Sequence, residues 1–296
     1  MMELPFKLPP ISDSIPIWNG HGFTLNNNPI NVLEYSFNSL GWNDDLTFFH
    51  EESAGDQHFI DCASRDHAIS QLQSAHLSAQ STILEVGCSS GFMLERLCTV
   101  FSDCCIMGSD VVIEPLQKLS QKIPKIPLFR FDITQCPFPD QSIDAVIMLN
   151  VLEHIKADKT ALQQVYRILK PGGTLVIEVP ANPKLYDCYD KMLMHYRRYR
   201  AKDLRALALS VGFNIKKQSH LGFFLYPGFW LVKKYNQRFN QASESSQKKQ
   251  IEKNINATKR NPLLHLLMQT ELKLGNFISY PVGIRCLLTL YKDKKK

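Results

Sequence analysis

The sequence predicts an α/β protein built on a doubly wound, mostly parallel seven-stranded sheet. Three observations predict it. Short apolar runs alternate with amphipathic stretches from Ile83 to Tyr291. One run leads into a glycine-bearing turn, Glu85-Val-Gly87-Cys88-Ser89-Ser-Gly91, which opens directly into a helical pattern. Finally, 296 residues with 44% hydrophobic and 21% charged content suffice for one large core. Helices between successive strands act as crossovers, and crossovers give parallel pairing with helices on both faces.

Residues 1–50 are rich in Pro, Asn and Gly without a sustained period, and read as an irregular arm. From 53 to 80, Ile60, Ala63, His67, Ala68, Leu72 and Leu77 share one side of a helical pattern, so residues 1–80 form an N-terminal arm and lid helix. A core follows over 81–220. Its expected strands are Ile83–Val86, Cys104–Gly108, Leu128–Phe131, Ala145–Leu149, Thr174–Val179 and Phe213–Gln218. Its expected helices are Phe92–Phe101, Ile113–Gln121, Asp158–Leu169 and Lys202–Leu209. The third is the clearest, with Asp158 as cap, Leu162, Val165, Tyr166 and Leu169 at helical spacing, and Pro171-Gly172-Gly173 as its stop. Residues 221–280 read as a basic helical insertion: an aromatic segment (Phe223 to Trp230), a polar lysine-rich loop or linker (236–260) and a helix from Asn261-Pro262 to about Phe277. The final strand, Ile284–Tyr291, and a lysine tail complete residues 281–296.

Composition excludes several classes. No run approaches the ~18 apolar residues of a membrane-crossing helix, and the opening MMELPFKLPP has neither a basic start nor an apolar core, so no signal peptide is expected. The expected location is cytoplasmic, with peripheral membrane contact as an option. The eight cysteines include no CxxC pair, which suggests reduced structural thiols and no metal site. A net charge of +6 divides into −11 over residues 1–190 and +17 over 191–296. Such a basic half can attract phosphates on lipids, nucleotides or RNA, or can be a solvated surface.

The turn at 85–91 narrows the ligand. It reads Glu85-x-Gly87-x-x-x-Gly91, not the GxGxxG of a dinucleotide site, and no phosphate-gripping lysine follows. An acid at Glu85 suits a cationic or amine-bearing ligand. Asp110, which ends the second strand with Val111 after it, can accept two ribose hydroxyls; its position 19 residues after Gly91 also fits a nicotinamide cofactor. Asp132-Ile133 ends the third strand, where a short acid can bind an adenine amino group. Asn150-Val151-Leu-Glu153-His154 leaves the fourth strand, and Leu169-Lys-Pro-Gly-Gly173 precedes the fifth.

In this order and register the motifs resemble those of the Rossmann-like S-adenosylmethionine-dependent methyltransferases, especially their type 11/12-like small-molecule group. The resembling pattern is E/DxGxGxG, an acid after strand two, an acid after strand three, a "VLEH" exit and "LKPGG", and it covers Ile83 to Pro180. Ser89 departs from it, standing where the family has its middle glycine. The resemblance implies that Glu85, Gly87, Cys88 and Gly91 line the methionine end of S-adenosylmethionine. It implies further that Asp110 and Val111 take the ribose, that Asp132 and Ile133 flank the adenine, and that Asn150 and Val151 close the pocket. Asp132 and Asn150 also read as local turn or strand caps.

Methyl transfer to oxygen needs a proton acceptor. Candidates are His154, at the strand-four exit, and His195, in His195-Tyr-Arg-Arg-Tyr199 after strand five. His154 also reads as a backbone partner, and His58 as a surface histidine or part of a lid. Lys233, Lys234, Lys248, Lys249, Lys259 and Arg260 accompany the aromatic insertion, a combination suited to a greasy anionic acceptor, a lipid-linked or phosphorylated metabolite, or a membrane surface. Bacterial methyltransferases of polysaccharide and lipid pathways look similar in this C-terminal arrangement. The expected partner is a small-molecule acceptor, most simply methylated on oxygen. Alternatives are an RNA or protein methyltransferase, although no RNA-binding module is evident, and a catalytically silent cofactor-binding partner.

Overall fold

The computed structural model describes residues 4–36, 58–243, 246, 249 and 261–294. Short strands β1 (Ile17–Trp18), β2 (Phe23–Leu25) and β3 (Asn28–Ile30) form a small antiparallel sheet in the N-terminal arm. β4 (Val32–Glu34) leaves that arm and joins the main sheet. Helix α1 (Phe59–Gln73) follows. The core then runs β5 (Thr82–Val86), α2 (Phe92–Val100), β6 (Cys105–Asp110), α3 (Ile113–Lys122), β7 (Leu128–Arg130), β8 (Ile143–Leu149), α4 (Asp158–Ile168) and β9 (Leu169–Pro180). Beyond it lie α5 (Cys188–Met192), α6 (Ala201–Val211), β10 (Asn214–Leu221), α7 (Tyr226–Asn236), α8 (Pro262–Gly275) and β11 (Arg285–Tyr291).

The main sheet has the order β10-β11-β9-β8-β5-β6-β7-β4. β11 runs antiparallel between β9 and β10, and the other pairings are parallel. Seven strands match the expected doubly wound sheet; the eighth, β4, is an addition from the arm read as irregular. Three residues are too few to show a period, so the pairing rests on tertiary contacts. Glu34 reaches Arg130 of β7 at 2.7 Å, and Val32 pairs with Leu128.

Alternation along each strand divides the core between two faces. Leu84, Met107, Phe129, Val146 and Ile177 pack with Leu162 and Val165 of α4, Leu204 of α6, and Phe23 and Leu33 of the arm. Ile83, Ile106, Leu128, Ile147 and Val176 pack with Leu72 of α1, Leu94 and Leu97 of α2, and Leu116 and Leu119 of α3. With both faces covered, the strands read as continuous apolar runs.

Two expectations are corrected. Asp158 does not cap α4: the N-cap is Ala157, without a side-chain bond, and the Asp158 carboxylate accepts from Arg197 and from the Tyr199 hydroxyl at 2.9 Å. The aromatic segment at 223–230 passes into helix α7, whose first turn takes Pro227, a position that needs no N–H. Residues 53–57, most of the lysine-rich stretch (with Lys248, Lys259 and Arg260) and Lys295–Lys296 lie outside the described residues. None of the eight cysteines is disulfide-bonded. Among the described residues no helix is long and apolar enough to cross a membrane.

Candidate active site

Parallel strands β5, β6, β7 and β8 deliver their C-terminal ends to one edge of the sheet, and a cavity of about 740 Å³ opens there. That volume suits a small-molecule site. Gly87, Asp110, Val111, Asp132, Ile133, Asn150 and Val151 all line it. Glu85, Cys88 and Gly91 do not; they stand beneath it.

The glycine turn is shaped by close approaches. Gly87 has φ +74°, and a Cβ there would lie 2.5 Å from Cγ2 of Val151. Gly91 has φ +79°, and a Cβ there would lie 2.4 Å from Cδ1 of Leu119. The first glycine lets the turn meet the β8 exit under the cavity, and the second lets α2 start against α3. Asp110 is locked by two backbone donors, the Ser89 N–H to Oδ2 and the Val112 N–H to Oδ1, each at 3.0 Å. Its carboxylate thus faces the cavity in a fixed orientation. Asp132 caps a short 3₁₀ turn by accepting from the Thr134 N–H at 2.8 Å, and it lines the cavity as well. Asn150 sits at φ +54° with its N–H bonded to the Glu178 carbonyl.

Below the turn, Glu85 is buried with Oε2 unpartnered, and burial, reinforced by the charge of Asp110, holds its carboxyl well above the ordinary carboxylate range. Burial likewise pushes the Cys88 thiol up, so Cys88 is not a nucleophile.

The opposite wall is built by residues after β8 and β9. His154 and His195 lie edge to face with ring centroids 4.7 Å apart. Asp190 accepts at Oδ1 from His195 Nδ1 and from Arg198, and at Oδ2 from Lys233, each at 2.9 Å. Lys233 of α7 reaches Asp187 at 2.7 Å as well. Asp187 and Asp190 form the capping box of α5, which fixes the loop carrying His195. Burial lowers the His195 pKa against the pull of Asp190, so the imidazole stays neutral near pH 7. Burial also opposes ionisation of Asp190, but the His195 hydrogen bond and the Lys233 and Arg198 charges outweigh it and hold that carboxyl below its ordinary value. Beside the two histidines Glu153 is fully buried, both carboxylate oxygens lack a partner, and burial raises its pKa to about 8.

In the sequence Glu153 stands out only as part of a motif, and Asp190, Arg198 and Arg285 carry no pattern that marks them. Arg285 joins Glu178 and Ser64, each at 2.6 Å, under the cavity floor. Lys233, read among the basic residues of the insertion, is buried. His58, for which a surface position was favoured, lines the cavity, 3.3 Å from Asp61. The only signal for this wall was the dense His-Tyr-Arg-Arg-Tyr run.

Residues 84–177 match the family model described as a methyltransferase domain. The chain is 25% identical over 162 residues, 54% of its length and 62% of the relative's, to a probable S-adenosylmethionine-dependent methyltransferase of Mycolicibacterium smegmatis. It is 26% identical to the sterol 24-C-methyltransferase of Pneumocystis carinii over 64% of this chain and 48% of that one. The chain thus spans about three fifths, or less, of these curated relatives. Among solved structures, Haemonchus contortus phosphoethanolamine N-methyltransferase 2, in complex with phosphomonomethylethanolamine and S-adenosylhomocysteine, superposes with TM-score 0.58 at 16% identity, covering 97% of this chain and 71% of that one.

Proposed function

The core of this chain belongs to the Rossmann-like S-adenosylmethionine-dependent methyltransferase superfamily, and from that premise we propose that the protein methylates an oxygen of a small, partly apolar acceptor. The observation that carries the reading is one cavity with two chemically different walls: Gly87, Asp110 and Asp132 on the strand ends, and His154, Glu153 and His195 opposite.

The strand-end wall fits the cofactor. Asp110 is held by two amides at the cavity edge, where a carboxylate can accept the ribose hydroxyls. Asp132 and Ile133 stand where the adenine would lie, and Asn150 and Val151 close that end. The buried, half-satisfied Glu85 carboxyl lies under the turn that receives the amino acid end, with Cys88 and Gly91 shaping the turn from behind. When bound, S-adenosylmethionine supplies an electrophilic methyl group on a sulfonium, and displacement there depends largely on alignment. His195 presents Nε2 to the cavity because Nδ1 is engaged by Asp190, and as a neutral imidazole it can accept the acceptor's hydroxyl proton. Asp190 orients the ring and stabilises it once protonated.

The acceptor's apolar part is read from Leu225 just before α7, Phe229 and Val232 of α7 and Leu264 of α8, which finish the cavity. The outer surfaces of the same helices expose Trp230, Leu231, Leu263 and Leu266, together with Lys234 and Lys273. A lipid-like or phosphorylated acceptor presented at an anionic membrane surface agrees with this mixture.

The test is calorimetric titration with S-adenosylmethionine, with Asp110→Ala alongside. One saturable site is expected, weakened about tenfold or more in the variant, since a charge-assisted hydrogen bond contributes about 1.5–3 kcal/mol. Absence of binding by a folded protein would overturn the reading. His195→Asn is expected to leave cofactor binding intact and to slow transfer about a hundredfold, the usual worth of a proton acceptor.

A further inference from the structure

Glu153, His154 and His195 bring one carboxylate oxygen and two imidazole nitrogens within 4.8 Å of one another on the cavity wall. We propose that these three side chains bind one divalent transition-metal cation, with a coordination position left open to the acceptor. With the cation bound, His195 Nε2 is a ligand and no longer the proton acceptor, and coordination itself would acidify the acceptor hydroxyl; that role rests on the methyl-transfer reading, whereas the metal site itself rests on four observations of its own.

The first is Glu153. Its side chain is fully buried, lines the cavity, and no other residue donates to either oxygen. A carboxylate in that position is costly unless something satisfies it, and a cation does so with both charge and lone-pair geometry. The second is the preparation of His195. Asp190 binds Nδ1 at 2.9 Å and leaves Nε2 toward His154 and Glu153. Metal-ligating histidines carry the same outer carboxylate, which fixes the ring and raises the basicity of the ligating nitrogen.

The third observation is the local charge. Asp61, Glu178, Asp187 and Asp190 supply four carboxylates around this wall, against the three cations Arg198, Lys233 and Arg285, and none of these cations pairs with Glu153. Arg198 and Lys233 are tied to Asp190 and Asp187, and Arg285 to Glu178 and Asp61. The balance therefore favours an added cation at Glu153. The fourth is spacing. Ligands about 2.1 Å from a metal stand at most about 4.2 Å apart, so a small closure of these side chains completes the set. Two imidazoles and one carboxylate select Zn²⁺, Mn²⁺ or Fe²⁺ over Mg²⁺ or Ca²⁺, which prefer oxygen.

The experiment uses the full chain, stripped with a chelator and titrated with MnCl₂ while free Mn²⁺ is followed by electron paramagnetic resonance. ZnCl₂ titration by calorimetry runs in parallel. One site per chain is expected. Glu153→Gln, nearly isosteric, is expected to weaken it at least tenfold, and Asp190→Asn tenfold to a hundredfold through the His195 ring. Circular dichroism and S-adenosylmethionine titration of Glu153→Gln report whether the fold and the other wall survive. Stoichiometric Mn²⁺ or Zn²⁺ binding that depends on Glu153 supports the site, even in a protein that fails to bind S-adenosylmethionine. No metal binding, or binding unchanged in Glu153→Gln, overturns it and leaves His195 as the proton acceptor without a metal.

Discussion

Positions 89 and 91 in the glycine turn place opposite demands on the backbone. Gly91 is required twice over, by φ +79° and by a Leu119 side chain that occupies the space of its missing Cβ. Gly91→Ala is therefore expected to destabilise by about 2 kcal/mol or more, left-handed strain and overpacking together, as read from urea unfolding. Ser89 also adopts a left-handed conformation, φ +44°, without a glycine's freedom, while its N–H holds Asp110. Ser89→Gly removes that strain and keeps the N–H. A stability gain of up to about 1 kcal/mol is expected, the strain relieved less the backbone entropy glycine adds, with cofactor affinity equal or better. The resemblance supplied a glycine for this position, and the sequence carries the motif with one strained residue in it.

Helix α7 is tied to α5 through a buried lysine. Lys233 is 4% exposed and bridges Asp187 and Asp190. Lys233→Met leaves the buried Asp187 without its cation and Asp190 with Arg198 alone, and a loss of about 3–5 kcal/mol is expected in thermal unfolding. The neighbouring Lys234→Met, on the exposed side of the same helix, is expected to stay within about 0.5 kcal/mol. Helix α1 carries a different liability. Burial, aided by the charge of Lys217, lowers the His67 pKa to about 3. His67 is therefore neutral in the fold, and its contribution is fully present above the ordinary value near 6.5. It is lost as pH falls from there toward 3, by up to about 1.4 kcal/mol per pH unit. His67→Gln is expected to flatten the dependence of stability on pH in that window; an unchanged slope would exclude His67 as its source.

Charge and greasy surface are distributed over the whole molecule, since the C-terminal residues 191–296 carry +17 and the first 190 carry −11. The proposed acceptor implies salt-sensitive binding to anionic phospholipid vesicles and little to zwitterionic ones, measured by co-sedimentation. Leu231→Glu with Leu266→Glu, on surfaces 61% and 63% exposed, is expected to abolish it while leaving the melting temperature in place. The alternation of strands and helices from Ile83 to Val211 was legible because hydrophobic period and turn chemistry are local. The glycine turn, Asp110, Asp132 and the β8 exit were legible for the same reason, since strand ends in such sheets bring motif residues to one edge. The sequence by itself thus determined the sheet, the edge that carries the cavity, and the class of ligand suited to its strand-end wall. Tertiary structure alone decided that β4 pairs with β7, that Lys233 is buried against Asp187 and Asp190, and that Glu153 meets His154 and His195 with its oxygens unpartnered. These outcomes depend on partners up to about a hundred residues away in sequence, or on what fails to reach a buried group, and neither leaves a periodic trace in the chain.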